Sequence, residues 1–301
     1  MKTQKVKGLE IVPPKGESGK YETPPMMPKA HMVSVVVGKR NSGKTTSIIN
    51  MIEKLNYDYT IVISPTMASN RELMDRISVE HVFDDVDNPN IIDDVKKIIK
   101  DEAEDLERYQ AELERYHRLM KNIKNGNYMD EEAMTLFFSP ENQEFTKPTH
   151  RFNGRKPFIA IVVDDCLGSM LYSKPRKING LATYSRHLGQ LKEGGAIGAS
   201  LFFAIQSFKA QTGGLSRVIR NQATNIILFK TKDEGELKDV AESVAGEVNT
   251  DIFNNVYNQA IGDGNNHEFL FIDLHKKDNH PSMFRKRLDE FIIIDDLKKK
   301  V

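Results

Sequence analysis

Short apolar runs without polar alternation recur along the chain, separated by longer stretches with helical periodicity. Five such runs are predicted to be strands, at residues 33–37, 59–64, 157–163, 199–205 and 225–230. Runs of this kind are typical of strands buried on both faces of a parallel sheet. Further strands are predicted at 268–273 and within 284–294. The pattern predicts an α/β fold with a mainly parallel central sheet flanked by helices.

Residues 90–125 interrupt this alternation of short apolar runs and helical stretches. Apolar positions recur there every three or four residues between charged faces, and ion pairs of favourable order sit four apart, Asp93 with Lys97 and Glu104 with Arg108. One long helix, or two with a break, is therefore predicted as an insertion. Two interpretations stay open: an arm that contacts a partner, or a helix lying on its own domain. Short helices are predicted at 71–76 and 130–138.

The chain is expected to form one main domain with small additions. Residues 1–30 hold five prolines and no period, which predicts an extended N-terminal arm that joins the core at His31. Residues 31–295 are expected to form the α/β domain, and residues 296–301 a basic tail. The arm could pack on a neighbouring subunit or stay disordered.

The loop after the first predicted strand has the sequence GKRNSGKT, which matches the spacing G-x-x-x-x-G-K-T of a phosphate-binding P-loop. Its backbone N–H groups and the following helix N-terminus are suited to phosphate oxygens. Lys44 is expected to reach the β- and γ-phosphates, and the Thr45 hydroxyl to ligate Mg²⁺. The residues predicted to bind a nucleoside triphosphate are Gly38, Lys39, Arg40, Asn41, Ser42, Gly43, Lys44, Thr45 and Thr46.

Polar residues end two of the later strands. Asp164 and Asp165 follow the apolar run at 157–163, and Gln206 follows the run at 199–205. Ligands of α/β sheets bind at the carboxyl ends of the strands, so these side chains are expected to face the P-loop. Asp164 is assigned to Mg²⁺, Asp165 to the attacking water, and Gln206 to the γ-phosphate or that water. Many such ATPases have Glu in the place of Asp165, which leaves the reach of the shorter acid open.

The charge balance and the cysteine content limit the kinds of partner and compartment that fit this chain. The 43 Lys and Arg residues balance the 43 Asp and Glu residues, so a nucleic acid would have to be contacted locally. The single cysteine, Cys166, excludes an internal disulfide, fits a reducing compartment, and is expected to be a buried, inert thiol. No apolar run approaches the roughly eighteen residues of a transmembrane helix, so no membrane span is expected.

Basic residues near predicted strands suggest two further roles. Arg186, Arg217 and Arg220 are candidates for an arginine that completes the site of a neighbouring subunit in a ring. The segment 168–180, predicted as a loop leaving the nucleotide end of the sheet, carries Lys174, Arg176 and Lys177. These three are candidates for sequence-independent contacts to DNA phosphates.

The motifs, taken in order, resemble one family. GKRNSGKT, ISPT after the second strand and IVVDD are followed by SRHLG, FFAIQS and VIRNQATNIILF. In this order they resemble the poxvirus-type genome-packaging ATPases of large DNA viruses, within the HerA/FtsK superfamily of P-loop DNA motors. The resemblance runs from about Met32 to Lys230 and less distinctly to Ile294. The long helix at 90–125 is a departure from it.

The resemblance implies an ATPase of the ASCE type of P-loop NTPase. It implies a homo-oligomeric ring on double-stranded DNA that drives a viral genome into a preformed capsid, using ATP and Mg²⁺. Capsid or virion proteins would be partners, and the host cytoplasm at the site of virus assembly, together with the virion, would be its location. Lys44, Thr45, Asp164 and Asp165 keep the roles given above, with Gln206 as sensor.

Two other functions stay open at this level. A cellular HerA-like translocase or helicase would share the motifs, although such a helicase usually carries an additional N-terminal domain. A nucleotide-dependent scaffold with little turnover would share the P-loop. A GTPase switch is disfavoured because residues 231–234 do not supply the guanine-reading Asn-Lys-x-Asp.

Overall fold

The computed structural model describes residues 22–66, 74–125, 146–209, 215–244, 246, 248–262 and 267–294. Its strands, β1 to β9 in chain order, are Val33–Val37, Tyr59–Ile63, Val79–Phe83, Ile159–Asp164, Ser200–Ile205, Asn225–Phe229, Phe269–Asp273, Phe284–Lys286 and Glu290–Phe291. They form one nine-stranded sheet in the order β3-β2-β4-β5-β1-β6-β7-β8-β9. The first six strands in this order, from β3 across to β6, are parallel to their neighbours. Strands β7, β8 and β9 extend the sheet in antiparallel pairing. The predicted fold class is confirmed.

The α-helices of the described residues, α1 to α7, are Lys44–Leu55, Ile91–Lys124, Met170–Ser173, Arg176–Tyr184, Arg217–Gln222, Glu234–Ser243 and Thr250–Ile261, with a 3₁₀ turn at Ser185–His187. Helix α1 packs on one face of the sheet, where Ile48, Met51 and Ile52 join one apolar core. Helices α2 and α4 to α7 contribute to a second core on the opposite face. None of the helices among the described residues combines the length and apolar character needed to cross a membrane.

The register of the parallel strands brings their ends together. Val37 of β1 pairs with Ile205 of β5, and Asp164 of β4 pairs with Ala204 of β5. Strand β5 therefore lies between the P-loop strand and the strand that ends in Asp164, as expected for a β5 that aims Gln206 at the nucleotide. We call the side of the sheet where these strands end the carboxyl edge.

The long helix and the secondary strands differ in how well they were predicted. Helix α2 is one unbroken helix of 34 residues, and its first half packs on its own domain through residues such as Ile99 and Leu106. Strand β3 was not predicted, because it is a half-buried edge strand with alternating burial. The late strand expected within 284–294 is instead a hairpin of β8 and β9, since Arg287 takes a positive φ of 51° and turns the chain.

Some predicted elements fall outside the described residues. These are the short helix at 130–138, the first half of the one at 71–76, residues 1–21 of the arm and the whole basic tail at 296–301. The described part of the arm contacts the domain before His31. Met27 is buried, and the carbonyl groups of residues 23–26 accept hydrogen bonds from the side chains of Lys277, His280 and Arg285. Since prolines lack an N–H group, this segment cannot pair as a strand and is held through its carbonyl groups instead.

A buried charged cluster lies beneath the arm. Asp273 and Arg285 are both buried, with Arg285 Nη2 3.9 Å from Asp273 Oδ2 and 3.0 Å from His280 Nδ1. Burial raises the pKa of Asp273, an effect that the nearby Arg285 opposes. A buried carboxylate that loses its cation is costly. The cluster therefore ties β7 and β8 to the arm.

Replacing Arg285 should expose this dependence. Arg285→Ala should lower the free energy of unfolding by about 3–5 kcal/mol, because it leaves Asp273 buried without its cationic partner. Urea unfolding followed by circular dichroism measures the change. The matched control is Arg76→Ala, which removes an exposed ion pair with Glu53 and should cost about 1 kcal/mol or less. Equal losses in the two variants would contradict the role given to the cluster.

Candidate active site

The P-loop connects β1 to α1 at the carboxyl edge, and two of its positions accept only glycine. A Cβ at Gly38 would lie 2.5 Å from Ser42 Oγ and 2.9 Å from Phe229 Cβ. Gly43, just before α1, has a φ of +99°, in the left-handed region that glycine adopts without strain. The loop is anchored to its neighbour through the Gly38 N–H, which donates to Ile205 O at 3.1 Å.

Lys44, the first residue of α1, folds back over the loop. Its Nζ donates to Gly38 O at 2.8 Å and to Lys39 O at 3.1 Å. Burial lowers the pKa of Lys44, and the carboxylates of Asp164 and Asp165 oppose that shift. The ammonium group therefore lies inside the loop and faces both acids, as the sequence predicted for a lysine that binds phosphates.

Thr45 and Asp164 meet across the sheet. Thr45 Oγ1 donates to Asp164 Oδ2 at 2.8 Å, although the residues are 119 positions apart. Asp164 is only 7% exposed, and burial raises its pKa while the hydrogen bond from Thr45 and the charge of Lys44 oppose the rise. A hydroxyl beside a carboxylate is the hard-oxygen pair that Mg²⁺ prefers. No cluster of three or more acidic, histidine or cysteine ligands occurs in the described ranges, so phosphate and water oxygens would have to complete such a site.

Asp165 and Gln206 lie side by side at the mouth of the site. Gln206 Nε2 is 3.5 Å from Asp165 Oδ1, at the outer limit of a hydrogen bond. Both side chains are exposed, which leaves room for water and a phosphate group. The structure thus places the predicted acid and the predicted sensor next to each other, within the same edge as Lys44.

The backbone at Asp165 has an unusual conformation. Its φ is +55°, in the left-handed region that Asp and Asn tolerate and that Glu rarely adopts. The next residue, Cys166, is buried and donates its Sγ–H to Asp164 O at 3.1 Å and to Ile63 O at 3.4 Å. Burial raises the pKa of the Cys166 thiol to about 12, which agrees with the expected inert thiol. The turn therefore selects the shorter acid.

The three candidate arginines occupy different places. Arg220 is held within its own chain, since its Nη1 donates to Leu215 O at 2.9 Å and to Phe208 O at 3.2 Å. Arg186 is exposed in the 3₁₀ turn near the start of β5, at the side of the sheet opposite the P-loop. Arg217 is exposed at the first position of α5, which follows the end of β5.

The segment 168–180 is helical rather than a loop. Pro175 precedes α4, whose Ile178, Leu181 and Ala182 are buried and give it an amphipathic pattern. Lys177 donates to Pro89 O and to Asp93 at the start of α2. The expectation that all three basic residues are available for DNA is therefore corrected: Lys177 is paired within the chain.

Two residues at the P-loop were missed from the sequence. His267 Nδ1 lies 3.1 Å from Ser42 O, and Phe229 packs beside Gly38 and Gly43. Both come from β6 and the start of β7. Their positions depend on the antiparallel return of β7, for which the sequence carries no motif.

The strand order, the glycine-bounded loop and the Thr45–Asp164 contact define the class of the protein. It has the α/β fold of a P-loop NTPase, with β5 inserted between the P-loop strand and the strand that ends in the acid pair. No protein-family model and no curated protein matches the sequence.

The chain is similar to several solved structures at low sequence identity. The genome packaging NTPase B204 from Sulfolobus turreted icosahedral virus 2, in complex with ATP-gammaS, is 13% identical, with a TM-score of 0.43 over 87% of this chain and 98% of that chain. The pCW3 conjugation coupling protein TcpA is 15% identical, with a TM-score of 0.44 over 89% of this chain and 62% of that chain. Thermomonospora curvata EccC (ATPases 2 and 3) is 15% identical, with a TM-score of 0.44 over 88% of this chain and 40% of that chain.

Substitutions of Asp165 should report the backbone selection directly. Asp165→Asn should keep the free energy of unfolding within about 0.5 kcal/mol, because Asn also tolerates a positive φ. Asp165→Glu should lower it by about 1–2 kcal/mol, the cost of placing an unsuited residue in the left-handed region. Urea unfolding of the two variants tests this, and a glutamate variant as stable as the asparagine one would contradict it.

Proposed function

We propose that this chain hydrolyses ATP and uses the energy to move double-stranded DNA. The observation that carries the hydrolytic part is the convergence of Lys44, Thr45, Asp164, Asp165 and Gln206 at one edge of the sheet. Phosphate-binding groups lie on the P-loop side, and an acid with a polar neighbour lies opposite. This is the arrangement that in-line attack of water on a terminal phosphate requires.

Each residue has a role in that reaction. The N–H groups of the P-loop and the Lys44 ammonium hold the phosphates and stabilise the charge that develops on the terminal phosphoryl group. Bound Mg²⁺, held by Thr45 and Asp164, would neutralise phosphate charge. Asp165 accepts a hydrogen bond from the attacking water and takes its proton, while Gln206 orients that water. The exposed position of Asp165 leaves it free to do so.

The movement of DNA is proposed from the sequence blocks rather than from the site. The order of SRHLG, FFAIQS and VIRNQATNIILF after the acid pair resembles genome-packaging ATPases, which supports translocation of a viral double-stranded DNA genome into a preformed capsid. A homo-oligomeric ring, contact with capsid or virion proteins, and work at the site of virus assembly in the host cytoplasm belong to the same proposal. ATP turnover that rises on addition of long double-stranded DNA would support it, and turnover indifferent to DNA would not.

Asparagine variants of the two acids should separate binding from chemistry. Asp165→Asn should bind Mg-ATP within a few-fold of the natural chain and hydrolyse it roughly 10² to 10⁴ times more slowly, since it lacks the proton acceptor. Asp164→Asn should weaken the Mg²⁺-dependent part of binding itself. Equilibrium binding of a fluorescent ATP analogue, with and without Mg²⁺, and phosphate release measure the two effects.

A variant whose P-loop cannot bind phosphates provides the reference for these assays. Lys44→Ala should abolish turnover in a folded chain, because the Lys44 side chain donates to the loop carbonyl groups of Gly38 and Lys39 and belongs to neither apolar core. If both asparagine variants lose binding to the same extent as each other, the division of labour between Asp164 and Asp165 is wrong. Full turnover by Lys44→Ala would overturn the P-loop assignment.

Arg217 is the proposed arginine acting on a neighbouring subunit, because it is exposed at the first position of α5 while Arg220 is held within its chain. Arg217→Ala should bind ATP and hydrolyse it slowly. Mixing it with Asp165→Asn should partly restore turnover, since some interfaces then combine an intact arginine with an intact acid. Arg220→Lys is the contrast, because it weakens hydrogen bonds to Phe208 O and Leu215 O within its own chain. Any loss of turnover in this variant should not be rescued by mixing. A monomeric chain with concentration-independent turnover, even with DNA, would exclude the ring.

A further inference from the structure

The charges of this neutral chain are unevenly distributed. Residues 168–222 contain eight Lys and Arg residues and a single acid, Glu193. Residues 75–114 contain fourteen Asp and Glu residues against five Lys and Arg residues. The net charge of zero therefore hides a basic segment, formed by α3 to α5 with β5, and an acidic segment that includes β3 and most of α2.

Half of the basic residues in that segment are already bound within the chain. Lys177 pairs with Asp93 and Lys192 pairs with Glu107, so the cations beside α2 are neutralised by it. Lys209 pairs with acids of α6, and Arg220 donates to two carbonyl groups. These contacts reduce the positive charge that the four residues offer to a further anion.

The remaining cations are Lys174, Arg176, Arg186 and Arg217, which are exposed and whose side chains form no hydrogen bond or ion pair with the residues that the structure describes. Arg217 is the proposed trans residue. The other three lie at the two ends of α4, a helix of nine residues and hence about 13 Å long: Lys174 precedes it, Arg176 begins it and Arg186 follows it. Arg176 lies on the side of α4 opposite the buried Ile178 and Leu181, and Tyr184, the last residue of the helix, is 62% exposed.

We propose that Lys174, Arg176, Tyr184 and Arg186, here called the open basic face, contact the phosphate backbone of duplex DNA. This inference rests on the proposed function, in which the chain works on DNA. Cations spread over a helix of this length can meet several phosphates, and a tyrosine hydroxyl is a common additional phosphate donor. Contacts of this type carry no sequence information, as a motor that passes along a whole genome requires.

The main competing partner is the acidic segment of a second copy of the chain. Many of its acids are already used: Glu80 and Glu102 pair with Arg151, Glu104 pairs with Lys100, and Asp93 and Glu107 pair with lysines of the basic segment. Exposed acids such as Asp84, Asp85 and Asp94 form no ion pair with the residues that the structure describes, so this segment keeps negative charge that a second subunit could use. A polyanion outside the chain is the partner that the proposed function supplies, and the test separates it from a second copy.

The position of this face also links it to the nucleotide. Helix α3 begins five residues after Asp165, and the N–H of its first residue, Met170, donates to Asp87 Oδ1 at 2.8 Å. Lys174 and Arg176 follow directly. A change at Asp165 on hydrolysis thus has a path of about ten residues to the cations that would hold DNA.

The test compares two double variants with the same change in net charge. Lys174→Gln/Arg176→Gln removes two unpaired cations of the open basic face, and Lys192→Gln/Lys209→Gln removes two paired cations of the same segment. The dissociation constant for a random duplex is measured by fluorescence anisotropy over a range of salt. The first variant should lower the slope of log K against log[salt] by about 1.8, since each lost phosphate contact contributes about 0.9.

The paired-cation variant should leave the slope unchanged, and Arg186→Gln should lower it by about 0.9 for its one contact. Equal slopes for the natural chain and Lys174→Gln/Arg176→Gln, with equal melting temperatures, would overturn the inference. A fall in the oligomer mass of this variant in light scattering, without a change in slope, would also overturn the inference. That result would assign the face to a second copy of the chain. Absence of ATP turnover in the natural chain would overturn the proposed function, whereas the slopes would still decide the inference.

Discussion

The hydrogen bond between Thr45 and Asp164 depends on the register of three parallel strands. Thr45 begins the helix after β1, Asp164 ends β4, and β5 lies between them with Val37 opposite Ile205 and Asp164 opposite Ala204. A slip of one residue in either pairing would turn the acid away from the P-loop. Because every position of β1, β4 and β5 is buried, any such slip would also disrupt both cores. The site and the cores are therefore fixed by the same pairing.

The turn after β4 explains why an aspartate follows Asp164. From the sequence, an acid with one carbon fewer than glutamate leaves its reach in doubt. In the structure, the left-handed backbone at Asp165 brings its carboxylate beside Gln206, and the Cys166 thiol contacts the carbonyl groups of Asp164 and of Ile63 on the neighbouring strand. Backbone conformation thus supplies what the side chain lacks in length.

The sequence predicted those parts of the fold and site that depend on local pattern. The continuous apolar strands, the helical stretch at 90–125, the P-loop and the acid pair all have strong local signals, although the sequence left open whether that stretch is one helix or two. Strand β3 alternates in burial at the sheet edge, and the hairpin of β8 and β9 depends on a turn at Arg287, so neither carries such a signal. His267 reaches the P-loop only because β7 returns antiparallel to β6.

The pairing of charged residues could not be predicted either, because it depends on how the helices pack and not on local sequence pattern. Lys174 and Lys177 are three positions apart in one basic stretch, yet only Lys177 meets Asp93, because α2 passes that side of α4. A count of charges does not distinguish the two lysines. The balance of 43 basic and 43 acidic residues suggests a surface without a strong electrostatic field. Helix α2 pairs with Lys177 and Lys192, which lie next to it, and leaves Lys174, Arg176 and Arg186 unpaired at the two ends of α4. The long helix, which departs from the packaging-ATPase resemblance, thus helps to determine which basic residues near α4 stay available to an anionic partner.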